Sequence, residues 1–177
     1  MANNDENTTH LIPVHIYKFD IPKTQKLSFE SALKNIDQPS QDKLKEISLI
    51  REELKCVLDG ESLSQACQVI EKYMPSFFGL MQAAEKLPPE VSKYLRIIWT
   101  TPIGLRNVTN PFVSSSWRWE VVMVLLAYGI VLRNQAIELL KSTGLATSCV
   151  ITNAQDFDEK SKTIANLLMK AAGIFNH

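Results

Sequence analysis

The sequence predicts a mainly α protein: a helical bundle with a small strand pair near Val14-Phe19 and Arg96-Thr101. Three observations carry that expectation. Apolar residues recur at spacings of three and four over long stretches, which marks one face of a helix. A run from Ser114 to Leu140 holds twelve consecutive residues, Val121 to Leu132, without a charge. The chain has 177 residues, 45% hydrophobic and 21% charged, ordinary values for one globular domain with a sizeable core.

Residues 1–12 are polar and are expected to be disordered; residues 13–177 are expected to form a single helical domain. Val14, Ile16, Tyr17 and Phe19 read as a short extended segment, ended by Pro22. Ser28 has the chemistry of an N-cap for a short helix containing Ser31, Ala32 and Leu33. Pro39 and Ser40 mark a break. From Gln41 to Leu58, Leu44, Ile47, Ile50, Leu54 and Val57 line one helix face, and Asp59-Gly60 stops it. A second amphipathic helix carries Leu63, Cys67, Ile70, Met74, Phe77 and Met81 on one stripe. Pro75 lies inside it and removes a hydrogen bond to the Glu71 carbonyl, so a kink or break is expected there. "LPPE" at 87–90 closes that unit. Tyr94 to Pro102 is short, β-branched and followed by Thr-Thr-Pro, which favours a strand; 104–111 reads as a loop.

The apolar run is the central helix, expected from Ser116 to about Gly144. Twelve helical residues rise about 18 Å, against roughly 30 Å of bilayer hydrocarbon. Widening the window admits Glu120 and Arg133, so a buried core helix is expected rather than a membrane span. The preceding serines offer capping oxygens, and Glu120 sits where the helix dipole favours a carboxylate. A last helix is expected to begin at Asp156, which has capping-box spacing to Glu159. Ile164, Leu167, Leu168, Ala171 and Phe175 fall on one of its faces.

Charge and motif content narrow the function classes. Lys+Arg and Asp+Glu are 19 each, so no global field attracts nucleic acid. Cys56, Cys67 and Cys149 are scattered and odd in number, which suits reduced thiols in a cytosolic protein. The N-terminus has no basic stretch followed by an apolar one, and Ala2 excludes N-myristoylation. The sequons at Asn7 and Asn107 read as chance without a secretory route. His10, His15 and His177 lack metal-ligand spacing, and no phosphate loop or nucleophile elbow is present. Glu52-Glu53 read as a solvated face. No enzyme, cofactor or metal site is expected, which leaves a helical interaction module.

Three blocks in order resemble the first part of a Bro-one domain, the helical module of Alix and related endosomal-sorting adaptors. They are "V-x-I…IPKT…SFESAL" from Val14 to Leu33, "ESLSQACQVIEKYMPSFFGLMQAAEKL" from Glu61 to Leu87, and "IIW" at 97–99 followed by "SSWRWEVVMVLLAYGIVLRNQAIELL". Family members carry a Phe-x-Trp strand, then a helix that opens with an aromatic-Glu pair and runs to Gln-Ala. Ile97-Ile98-Trp99, Trp119-Glu120 and Gln135-Ala136 fill those places, with Ile97 replacing the usual Phe. "YMPSFFGL", with Pro75 and Gly79, is closer to the plant Bro-like members. The resemblance covers residues 14–175.

The resemblance implies binding of the C-terminal amphipathic helix of an ESCRT-III subunit, in a cytoplasmic protein acting peripherally on endosomes. It places Asp158 and Lys162 at the partner surface, matching the family's Asp-x-x-x-Lys pair. The family's main apolar patch lies on helices that would follow His177. If the last helix lacks those neighbours, its apolar face must pack on the central helix or meet another chain, so self-association or marginal stability is expected. Two rivals stand beside this reading: an unrelated helical bundle with its own partner, and an enzyme with a pocket beneath Trp117 and Trp119, residues that read more simply as core or interface aromatics.

Overall fold

The computed structural model describes residues 19–33, 38–84, 86, 94–100, 111–142 and 154–176. In chain order these form α1 (Phe29–Ala32), α2 (Gln38–Asp59), α3 (Leu63–Ala84), β1 (Ile97–Trp99), β2 (Phe112–Ser114), α4 (Trp117–Ser142) and α5 (Ala154–Phe175). The mainly helical bundle with a small sheet is what the periodicity predicts.

Local chemistry sets several boundaries. The Ser28 hydroxyl accepts the Ser31 N–H and caps α1. Ser48 then docks α1 on α2: its hydroxyl accepts the Phe29 N–H at 2.9 Å and lies 2.6 Å from a Glu30 carboxylate oxygen. Pro39 falls in the first turn of α2, where its missing N–H would be unpaired anyway. It therefore opens the helix instead of breaking the chain before it. Asp59 ends α2, and the Gly60 N–H closes its last turn on the Cys56 carbonyl at 3.1 Å. Helix α3 runs through Pro75 without a break. Helix α5 begins at Ala154, so Asp156 lies inside its first turn and is not the expected cap.

The strand expected at 96–101 is present as β1, but its partner differs from the one expected. It pairs antiparallel with β2, Ile98 opposite Val113. On its other side lies the chain at 23–25. Thr24 bridges Trp99, the Gln25 N–H reaches the Ile98 carbonyl at 3.2 Å, and the Thr100 N–H reaches the Lys23 carbonyl at 2.8 Å. Pairing thus falls after Pro22, because proline has no N–H to give a ladder. The expected strand residues 14–18 lie outside the described residues, as do Cys149, the three histidines and both sequons.

Helix α4 is the axis of the bundle, packed against α3, β1 and α5. By length and composition it could cross a membrane, beyond the twelve residues counted from sequence, but 67% of its apolar window is buried inside the fold. The buried face of α2 follows the expected stripe, with Leu44, Ile47, Ile50 and Leu54 in the core. That of α3 is rotated from the expected one. Ala66, Val69, Tyr73 and Leu80 are buried with Leu63, Ile70 and Phe77, while Cys67, Met74 and Met81 stand at the margin. A helix between two neighbours buries a wide arc, and its small and hydroxyl-tipped members do not register as apolar in the sequence. Phe29, Phe77 and Trp117 close one end of the core, with ring centroids about 6 Å apart.

Candidate functional site

The most concentrated chemistry in the molecule is an ion pair with no access to water. Arg51 of α2 and Glu120 of α4 are 1% and 0% exposed and meet at 2.8 Å, Nε to Oε1. Charges can be buried only when paired and hydrogen-bonded, and here nearly every polar atom is used. Glu120 also accepts the Tyr73 hydroxyl at 2.9 Å and the Trp99 indole N–H at 2.6 Å. Arg51 donates further to the Gln25 carbonyl at 2.6 Å and to the Thr24 hydroxyl at 2.7 Å. Thr24 in turn donates to the Ile98 carbonyl at 2.9 Å. Burial opposes the guanidinium charge, but the Glu120 carboxylate overrides it and raises the Arg51 pKa above its ordinary value. Burial, then Glu120, pushes the Tyr73 phenol well up, so it stays a donor.

This network ties α2, α3, α4, β1 and the chain at 24–25 to one point. It offers no exposed nucleophile or general base, so its chemistry is structural. Trp99 and Glu120, two of the residues that carry the Bro-one resemblance, are in direct contact here. The sequence reading placed Glu120 in the first helical turn, where it is, but assigned it only to the dipole. Arg51 was missed entirely. The one available signal was an arginine next to Ile50 on the core-facing side of α2.

The predicted partner residues sit elsewhere. Asp158 and Lys162 form an ion pair along α5 at 2.6 Å, 64% and 71% exposed. Such a pair stabilises a helix by only a few tenths of a kcal/mol. Its placement is more informative than its strength. Positions 158, 162, 165, 169 and 172 follow one another at spacings of four and three, so they share one stripe, and all are exposed. Met169 on that stripe is 64% exposed; Leu168 and Phe175 on the adjoining one are 45% and 53% exposed. The inward side of α5 is carried by Ala171, buried, and by Ile164, Leu167 and Ile174, half-buried. The expected face is therefore split: Leu167 and Ala171 pack on the bundle, Leu168 is left exposed, and Phe175 is half exposed. The Phe175 ring lies over Gly129, where a Cβ would come within 2.5 Å of it.

A polar latch holds α5 to the bundle. Glu71 of α3 accepts the Tyr128 hydroxyl, and the Lys170 ammonium at 2.7 Å. Lys170 also stands 5.2 Å from the Tyr128 ring centre. The hydrogen bond from Lys170, then that from Tyr128, holds the Glu71 carboxyl below its ordinary value. The same bond to Glu71 raises the Lys170 pKa. Nearby Cys67 touches Gln135 at 3.3 Å, and burial pushes its thiol up to about 11. Among the described residues, no three His, Cys, Asp or Glu side chains are grouped to hold a metal ion.

The comparisons add no relative. No family model, curated protein or solved structure matches this chain.

Proposed function

We propose that this chain is a helical protein-interaction scaffold whose outer α5 surface receives an amphipathic helix from a partner. The observation that carries this is the exposed stripe of α5, where Met169, with Leu168 and Phe175 beside it, continues from the charged pair Asp158-Lys162. A helix-in-groove partner uses apolar anchors with charged contacts at the rim, and the stripe provides both in that order. The Bro-one resemblance supplies the identity of the partner in this proposal: the C-terminal helix of an ESCRT-III subunit, met in the cytoplasm at the endosome surface. Its support is the order of the three sequence blocks and the placement of Trp99 and Glu120 at the centre of the fold.

The test is anisotropy of a labelled ESCRT-III tail peptide titrated with the protein. Saturable binding is expected, weakened at least tenfold in Leu168→Asp and in Asp158→Lys. A flat titration at high micromolar protein overturns the proposal. The exposure of three large apolar side chains on one helix also favours a second reading, in which a bundle unrelated to that family covers α5 with a second copy of itself. Sedimentation separates the two: the second reading requires a dimer that Leu168→Asp dissolves.

A further inference from the structure

Strand β2 leaves one edge of the sheet open. The Gln25 N–H reaches the Ile98 carbonyl and the Thr100 N–H reaches the Lys23 carbonyl, so the backbone groups of Ile98 and Thr100 face the chain at 23–25. Backbone groups alternate sides along a strand, so those of Ile97 and Trp99 face β2, where Ser114 and Phe112 stand opposite them. Val113, opposite Ile98, is then the non-hydrogen-bonded pair between them. Its N–H and C=O point away from β1, and no further strand among the described residues takes them. Phe112 and Val113 are 53% and 49% exposed, and the Phe112 ring lies 6.1 Å from that of Trp119. An edge with free backbone groups and apolar side chains is a template for another strand.

A second, independent feature selects the partner. Cations and carboxylates balance over the whole chain, yet no Asp or Glu falls between 91 and 119. Arg96 stands two residues before Ile98 and so shares its face of the sheet, the one that also carries Val113. Arg118 lies in the first turn of α4, which Ser115 and Ser116 alone separate from β2. Both arginines are exposed, and neither has a carboxylate partner among the described residues. Carboxylates on neighbouring elements are engaged elsewhere. Glu120 is 0% exposed and held by Arg51. Asp59 and Glu52 are held by Lys23 and Lys26, which flank the chain at 24–25. Glu30 is bonded to Ser48.

We propose that the β2 edge binds an extended acidic peptide, which adds a strand through the Val113 N–H and C=O, sets an apolar side chain against Phe112, and turns carboxylates to Arg96 and Arg118. Strand addition draws affinity from main-chain bonds and selectivity from alternate side chains, and arginine suits carboxylates by its bidentate geometry. Two other occupants fit less well. A second copy paired edge to edge doubles the arginines along one seam, and like charges repel. A bilayer would take water from the open edge, where an unpaired backbone group is costly. The site shares no residue with the outer face of α5.

The experiment is titration of the 15N-labelled chain with the capped peptide Asp-Glu-Val-Thr-Val-Thr-Glu-Asp, with Lys-Arg-Val-Thr-Val-Thr-Arg-Lys as the basic control. Saturable shifts are expected at the Phe112 and Val113 backbone amides, with the Val113 amide gaining protection from hydrogen exchange. Affinity is expected to fall at least tenfold in Arg118→Glu and in Val113→Pro. That proline removes an N–H directed away from β1, so the urea midpoint should stay near that of the parent. Arg96→Glu repeats the test without touching the backbone. The proposal is overturned by no saturable shift with the acidic peptide at millimolar concentration, by equal binding of the basic control, or by unchanged affinity in the arginine variants or in folded Val113→Pro. It is equally overturned by the same shifts from phosphatidylserine vesicles, which assign the edge to a membrane, or from raised protein concentration alone, which assigns it to a second copy.

Discussion

With no water around them, Arg51 and Glu120 keep their charges only by holding each other. Removing one partner strands the other, and breaking a buried pair in this way costs about 3–5 kcal/mol. Glu120→Gln should therefore lower stability by roughly that amount, read from urea unfolding. Arg51→Met combined with Glu120→Gln should recover a large part of the loss, because no charge is then left unpaired. Cys67 gives a second expectation. With its thiol at about 11 against an ordinary 9.0, it holds about a hundredfold less thiolate than an unperturbed cysteine near neutral pH. Iodoacetamide should label exposed Cys56 and leave Cys67 intact, which peptide mass mapping resolves.

Among the elements, α3 and α5 separate what the sequence discloses from what it hides. The stripe of α2 was legible because its partners are aliphatic and evenly spaced. That of α3 was not, because Ala66 and Tyr73 point inward with the aliphatic residues. The position of β1 was legible; β2 was not, since three residues ending in Ser carry no periodicity. In the candidate site the pair Asp158-Lys162 was readable from spacing, whereas the split of the α5 face depends on the angle at which it meets α4. Pro75 predicts a kink or a break, and α3 continues through it without a break, at the expense of the bond to the Glu71 carbonyl. Pro75→Ala restores that donor and should raise stability by about 1–3 kcal/mol, seen as a higher urea midpoint. At Gly129 the atoms nearest to an added methyl group are those of the Phe175 ring, which can swing toward solvent. Gly129→Ala should then change global stability by less than about 1 kcal/mol while amide exchange quickens across 172–176. The Glu71 latch titrates too. A carboxyl whose folded pKa is depressed contributes stability above its unfolded value and loses it as pH falls through the folded one. Both side chains of Lys170-Glu71 are about half exposed, so the effect is small. Amide exchange in α5 should rise on the acid side of 4.5, the carboxyl's ordinary value, ahead of exchange in α2.

At the scale of the whole molecule, the fold divides into a body locked at one buried point and an outer helix attached to its surface. Leu168→Asp and Met169→Asp alter only exposed positions, so they should move the unfolding midpoint within the usual surface range of about 0.5 kcal/mol. The same variants should abolish partner binding or dimer formation, a contrast that calorimetry and sedimentation together can read. The lock also has a consequence for biosynthesis. Arg51 precedes Glu120 by 69 positions, and a ribosome adding about 5–20 residues per second spends roughly 3–14 s between them. Throughout that interval the nascent segment carries a cation meant for the interior and no counter-ion for it. Closure of the first two long helices must wait for the fourth to leave the exit tunnel, and a chaperone has those seconds in which to hold the open chain.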